Sequence, residues 1–348
     1  MAFSAVPSES RAKINRAGQI LVAADSTPSD VDWARDLANR WRACHAYPIN
    51  TFQATLRARL RGTAGAIVAQ RLKRMPTIID KLKRYPNMKL TTMQDIGGVR
   101  AVLDSVDAVR ELAAGYKKSQ FQHELVDERD YIANPRSEDG YRSLHLIYRY
   151  RNRRNPRYDG LRLELQIRTR LQHTWATAVE TMGTFLGQAL KSRQGDQAWL
   201  DFFAVTSSAF AYLEDTPPIP RYAGLSREGT ALAVADAERR LGAVEMMTGI
   251  SAAVKFLTET RRGWFYHLIV LDSLDHSVQV TGYDRDRFEQ ALADYSRLER
   301  EAAEGRRIEP VLVSAGPLDT LRRAYPNFFL DIGDFVARVT EVVNSAQS

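Results

Sequence analysis

Two alternating segments, SLHLIYRYR from Ser143 and LRLELQIRT from Leu161, flank an arginine-rich turn and constrain the fold more than any other feature of the chain. Alternation with a period of two marks a strand, and two such runs across a turn pair as a hairpin. On the second run Leu161, Leu163, Leu165 and Ile167 share one side, while Arg162, Glu164, Gln166 and Arg168 share the other. An apolar face therefore backs a polar one, where chemistry can be placed.

The rest of the chain supplies helices and further strands. SESRAKINRAGQILV and SDVDWARDLANRWRACHAY have apolar positions at helical spacing, with Ser29 or Asp30 as the expected cap of the second. GAIVAQRLK reads as a short strand with Ile67, Ala69, Arg71 and Lys73 on one side. Pro76 suits the first turn of the helix PTIIDKLKRY, on which Lys81 and Arg84 share a face. DIGGVRAVLDS is a strand and VDAVRELAAGYKK an amphipathic helix, whereas ERDYIANPRSEDG reads as a charged loop delivering an exposed Tyr141 after the permissive Gly140. LQHTWATAVETMGTFLGQAL and FFAVTSSAFAYLE are helical up to the cluster Asp215 to Gly224, the expected linker. At 348 residues the chain exceeds the usual size of one core, so the expected division is 1–223 and 224–348. The second part alternates helices with the strands WFYHLIVLD, HSVQVTGYD and EPVLVSA, a small α+β pattern.

Several function classes are excluded at this level. The single cysteine, Cys44, permits no internal disulfide and no cysteine-rich zinc module, so no zinc is expected and any metal is expected on oxygen ligands. No basic start leads into a long apolar run, which predicts a cytoplasmic protein with no membrane partner. Neither a G-x-x-x-x-G-K-[ST] loop nor a strand-linked G-x-G-x-x-G is present, so bound phosphates must be held by side chains. Arg71, Lys73, Lys81 and Arg84 supply four cations, and Asp95 and Glu164 two carboxylates suited to Mg²⁺, the parts of a phosphoryl-transfer site. The plain alternative is a set of solvated cations and surface ion pairs. The turn YRYRNRRNPRYDG carries Arg149, Arg151, Arg153, Arg154 and Arg157 among aromatic residues, which suits RNA or equally a solvated hairpin tip; the net charge of +7 leans toward anionic partners.

RLKRMPTIIDKLKR, DIGGVR, GYRSLH and ELQIRT, in this order between Gly65 and Glu180, resemble the synthetase domain of the RelA/SpoT family. The resemblance implies an α+β fold: a mixed β-sheet flanked by helices, related to nucleotidyltransferases. The implied activity moves the β,γ-pyrophosphate of ATP to a ribose 3′-hydroxyl. By motif position it puts Arg71 on adenine, Lys73, Lys81 and Arg84 on the ATP phosphates with Arg100 assisting, and Asp95 on Mg²⁺. Glu164 would lie near the metal and the attacking hydroxyl as a base, Gln166 and Arg168 would complete the wall, Tyr141 would stack on the acceptor base, and His145 would stand at the end of the motif.

Pro135-Arg136, TWATAVET and WRACHAYPIN resemble the toxic small synthetases of toxin-antitoxin systems, some of which pyrophosphorylate the 3′-CCA end of tRNA and stop translation. A nucleotide acceptor yielding (p)ppGpp or (p)ppApp is the alternative, and a silent RNA- or signal-binding module a third. The segments after Trp264 resemble the C-terminal pseudo-zinc-finger domain of fused, CapRel-like members. That resemblance implies a built-in antitoxin, autoinhibition through Tyr325 and Phe328 (where the family has a second tyrosine), antiviral defence, and a phage protein as trigger.

Overall fold

In the computed structural model, residues 3–118, 121–185, 197–244, 247–248, 264–272, 277–306, 308–314 and 332–346 are described. Three helices open the chain: α1 (Arg11–Ile20), α2 (Pro28–Ala43) and α3 (Ala46–Arg59). The cap of α2 is Thr27, whose Oγ1 accepts the Asp30 N–H at 3.2 Å; the expected Ser29 and Asp30 lie inside the first turn because Pro28 already fits the first helical position.

Five strands then make one mixed sheet in the order β1-β2-β5-β4-β3: β1 (Ile67–Leu72), β2 (Gly97–Leu103), β3 (Glu124–Asp130), β4 (Leu144–Arg149) and β5 (Arg162–Thr169). Pairing is antiparallel except between β2 and β5, which run parallel. A parallel neighbour needs a crossover, supplied here by α5 (Val106–Lys118), β3 and β4. Strand β1 leads directly into α4 (Met75–Arg84), as the proline predicts. Strand β3 takes only the first three residues of the expected loop, Glu128 to Asp130, and 131–140 are turns: ELVDERD is charged on both faces because it is an edge strand, where charge discourages pairing with another chain.

The leucine face of β5 is buried as its alternation demands. Leu161, Leu163, Leu165 and Ile167 join Trp41, Phe52, Leu56, Ile78, Val99 and Val109 in one core between sheet and helices. Helix α3 presses so closely that a Cβ on Gly97 would lie 2.8 Å from Leu163 Cδ2 and 3.0 Å from Ile49 Cδ1, which explains one of the two β2 glycines.

A second core joins Tyr141 to α6 (Arg170–Phe185), α7 (Gln197–Leu213), α8 (Arg227–Leu241) and α10 (Gly333–Ser345), with Phe335 of α10 against Phe202, Phe203 and Phe210. The expected division at 223 and 224 thus runs through a shared core. The segment with its own core is smaller: the antiparallel sheet β7-β6-β8, from β6 (Tyr266–Asp272), β7 (Ser277–Tyr283) and β8 (Ile308–Ser314), packed on α9 (Phe288–Ala303). Tyr325 and Phe328 lie outside the described residues. No described helix is long and apolar enough to cross a membrane.

Candidate active site

Register brings the polar residues together. Arg71 of β1 stands opposite Gly98 of β2, Gly98 opposite Glu164 of β5, Arg100 opposite Gln166, and Gln166 opposite His145 of β4. Paired residues in neighbouring strands share a face, so Arg71, Arg100, Glu164, Gln166, Arg168 and His145 line one side of four strands. Arg100 Nη2 reaches Gln166 Oε1 at 3.5 Å.

Asp95 sits at the entry to this face, two residues before β2. Its Oδ2 accepts from Lys73 Nζ at 2.8 Å and its Oδ1 from Lys81 Nζ at 2.9 Å, so the end of β1 and the face of α4 converge on one carboxylate. Burial pushes the Asp95 carboxyl up, but the two ammonium groups outweigh it and hold it well below the usual carboxylate range. Arg84 does not join them; it pairs with Asp80 one turn back on α4 at 2.7 Å, the nearer carboxylate on the same helix face.

Glu164 is held from both sides. Oε1 accepts from His145 Nδ1 at 2.8 Å and Oε2 from Gln166 Nε2 at 2.7 Å. Burial opposes its ionisation, yet the His145 cation and hydrogen bond bring the carboxyl down to about 2. Burial likewise disfavours the imidazolium, but Tyr141 and Glu164 raise His145 to about 9. His145 Nε2 lies 2.9 Å from the Tyr141 hydroxyl, so both ring nitrogens are engaged within the protein. The charge of Asp95 is felt at Glu164 and opposes its ionisation, as it must for two carboxylates facing a common space.

Tyr141 is not the exposed ring expected. It is 6% exposed and belongs to the second core, because Ser207 of α7 donates to Gly140 O at 2.5 Å and draws the loop onto that helix. Gly140 takes the left-handed backbone at φ 78°. The Arg136 guanidinium lies 4.7 Å from the Tyr141 ring centroid and forks onto Asp139, whose Oδ1 also accepts the Tyr141 N–H at 2.9 Å. Arg136 thus covers one face of the Tyr141 ring.

Arg168 is a cation in an unusual position. It is 2% exposed, its Nε has no hydrogen-bond partner, and its Nη2 contacts His173 Nδ1. Burial lowers its pKa, and the nearby charges of Arg100 and Arg71 lower it further. A buried, partly unsatisfied guanidinium among like charges is what an anion would stabilise, so the face fits phosphate groups. The hard oxygens of Asp95 and Glu164 fit Mg²⁺, which commonly takes one or two carboxylates with the remaining ligands from phosphates and water. No group of three or more acidic, histidine or cysteine ligands occurs among the described residues.

The arginine turn is largely engaged with its own scaffold. Arg149 donates to Glu124 at 2.9 Å and Arg151 at 3.4 Å, and the Arg157 guanidinium lies 5.1 Å from the Tyr158 ring centroid. Arg153 and Arg154 are exposed. Three partners had no signal in the sequence: Ser207, Asp139 and, near the start of α4, Glu299.

Residues 70–183 match the family model described as "Region found in RelA / SpoT proteins". Over 115 residues the chain is 36% identical to GTP pyrophosphokinase YjbM of Bacillus subtilis, covering 32% of this chain and 52% of that protein. Over 152 residues it is 30% identical to the protein Rv1366 of Mycobacterium tuberculosis, covering 42% of this chain and 50% of that one. The chain spans about half the length of the curated relatives it matches. The crystal structure of small alarmone synthetase 1 from Bacillus subtilis bound to its product pppGpp aligns over 53% of this chain and 93% of that one, at 24% identity and a TM-score of 0.43.

Proposed function

We propose that the chain is an ATP-dependent pyrophosphokinase that transfers the β,γ-pyrophosphate of ATP to a ribose 3′-hydroxyl and releases AMP. The observation that carries this reading is the facing pair Asp95 and Glu164, with Lys73 and Lys81 on the first and the arginine face of β1, β2 and β5 alongside. Phosphoryl transfer asks mainly for alignment and charge neutralisation, and this face offers both without a covalent intermediate.

In this scheme Arg71 packs on adenine, Lys73, Lys81 and Arg100 hold the donor phosphates, and Arg168 completes its missing hydrogen bond on an anion. Mg²⁺, held by Asp95 and Glu164 when bound, would neutralise phosphate charge. The lysine ammonium groups then exchange Asp95 for phosphate oxygens. Glu164, ionised and fixed by His145 and Gln166, orients the acceptor hydroxyl; its low pKa makes it a weak proton acceptor until His145 moves away or loses its proton. Tyr141 becomes available to an acceptor base only if Arg136 swings off its ring.

The acceptor in our reading is the 3′-CCA end of tRNA, supported by the exposed Arg153 and Arg154 at the tip of the β4–β5 hairpin. The cell-level role that follows is a block on translation in antiviral defence, with the C-terminal part as a fused antitoxin and a phage protein as trigger. A guanine nucleotide is the second reading, favoured by the relative whose name is GTP pyrophosphokinase. Incubation with γ-labelled ATP and Mg²⁺ alongside bulk tRNA or GDP separates them, since label moves to RNA or to a nucleotide. Label on neither acceptor refutes the enzyme reading.

A further inference from the structure

Helix α7 reaches the polar face through a side chain that touches none of its carboxylates. Ser207 is 2% exposed, and its Oγ donates to Gly140 O at 2.5 Å and accepts from Arg142 Nε at 3.1 Å. One hydroxyl thus grips both chain neighbours of Tyr141. From that ring a contiguous set of bonds runs on: the Tyr141 hydroxyl lies 2.9 Å from His145 Nε2, and His145 Nδ1 donates to Glu164 Oε1 at 2.8 Å.

Arg142 makes this grip costly to lose. It is 3% exposed, its Nη2 has no hydrogen-bond partner, and its Nη1 reaches Ile132 O only at 3.5 Å. Burial lowers its pKa to about 10 against the opposing charge of Glu214, so it stays a cation at neutral pH. Ser207 Oγ therefore accepts the shorter of the two hydrogen bonds this guanidinium donates among the described residues, and without it the group is left under-satisfied.

The end of β5 is fastened separately. Thr169 and Gln172 form a capping box at the start of α6: the Gln172 N–H donates to Thr169 Oγ1 at 3.1 Å and the Thr169 N–H to Gln172 Oε1 at 3.3 Å. Glu214, the residue after α7, closes the box by accepting from the Thr169 hydroxyl and, at 2.8 Å, from Gln172 Nε2. Losing the Ser207 hydroxyl thus loosens the turn at Gly140 while β5, with Glu164 and Arg168, keeps its anchor. Lys73, Lys81 and Asp95 lie after β1, on α4 and before β2, away from these bonds.

We propose that Ser207 is a positioning residue for the acceptor side: by holding Gly140 and Arg142 it sets the Tyr141 ring and, through His145, the carboxylate of Glu164, without touching donor or acceptor. This rests on the pyrophosphokinase reading of the site and adds to it a residue beyond the matched segment 70–183. Displacement of a positioned group by about 1 Å costs on the order of 100-fold in rate, so one hydroxyl behind the site is enough to matter.

The test compares Ser207→Ala with Ser208→Ala in the full chain. Ser208 is 0% exposed and its Oγ accepts the Ile219 N–H at 3.2 Å, so its loss removes a buried hydrogen bond of the same helix that does not lead to Tyr141. Three quantities are read: exchange of the Gly140 and Tyr141 amides, which donate to Arg136 O and Asp139 Oδ1, each at 2.9 Å; equilibrium binding of a non-hydrolysable ATP analogue, bulk tRNA and GDP; and label transfer. With β2 and β5 amides still protected, Ser207→Ala is expected to speed the two turn amides at least about tenfold. It is also expected to lower kcat/KM for the acceptor that takes label at least about tenfold, with analogue affinity within about twofold. Ser208→Ala is expected to leave acceptor kcat/KM and the turn amides within about twofold of wild type. Equal losses in the two variants reduce Ser207 to ordinary packing and overturn the proposal. So does a Ser207→Ala chain with unaltered acceptor kcat/KM, or one that loses analogue affinity in the same measure. If the wild type transfers no label while Ser207→Ala still loosens the turn and weakens acceptor binding, the positioning stands and the reaction assignment falls; if the wild type binds neither tRNA nor GDP, both fall.

Discussion

Replacing Glu164 by Gln should release His145 from its raised pKa. In the folded chain His145 titrates near 9 and Glu164 near 2, against ordinary values of 6.5 and 4.5. The two displacements are one interaction seen from both ends and are counted once. From 6.5 to about 9, at about 1.4 kcal/mol for each pH unit, the charged state of His145 contributes about 3–4 kcal/mol, an upper figure for Glu164 because Tyr141 shares in it. His145 is raised, so its contribution is complete below pH 6.5 and is lost as pH rises through about 9. Glu164 is depressed, so its contribution is complete above pH 4.5 and is lost as pH falls through about 2. The wild-type advantage over Glu164→Gln in denaturant unfolding should therefore be largest near pH 5–6 and shrink by about 2–3 kcal/mol by pH 10. Ring NMR of His145 gives the direct readout: a titration near 9 in the wild type, falling toward 6.5 in the variant. A wild-type His145 that titrates at or below 6.5, or an unfolding gap equal at pH 6 and pH 10, refutes the pairing.

Asp95→Asn should reduce label transfer by at least about a hundredfold at every Mg²⁺ concentration, with far-UV circular dichroism unchanged; a retained rate in the Mg²⁺ titration removes Asp95 from the reaction. Gly140→Ala should cost about 2–4 kcal/mol in denaturant unfolding, since its backbone is left-handed and the new Cβ would lie 2.7 Å from Ser207 Cβ; a change below about 0.5 kcal/mol contradicts the tight packing of that loop. Replacing Arg153 and Arg154 together by Ala should lower tRNA affinity and flatten its dependence on log salt by about one to two, while an unaltered slope places RNA elsewhere.

How far the sequence reaches is visible residue by residue. The two faces of β5 and the turn from β1 into α4 follow from local rules of period and helix entry, whereas the meeting of Lys73 and Lys81 with Asp95 depends on the pairing of β1 with β2. Strand β3 does not, because an edge strand gains from carrying charge on both faces and then loses the alternation that identifies a strand. The grip of His145 on Glu164 depends on register across a long hairpin loop, which spacing alone leaves open. Tyr141 is buried because Ser207, sixty-seven residues beyond Gly140, fixes its loop. Arg42 and Glu299, separated by 257 positions, are two ordinary helical charges until the chain folds back on itself.

The parallel pairing of β2 with β5 has a consequence for the order of synthesis. No piece of chain that stops short of Thr169 holds both carboxylates in place, but once β5 has emerged the five-stranded sheet is complete in its strands. A ribosome adding about 5–20 residues each second reaches Glu299 on the order of ten seconds later. Every newly made molecule thus passes through an interval in which the strands of the polar face are complete and the helix whose Glu299 caps α4 is still unmade.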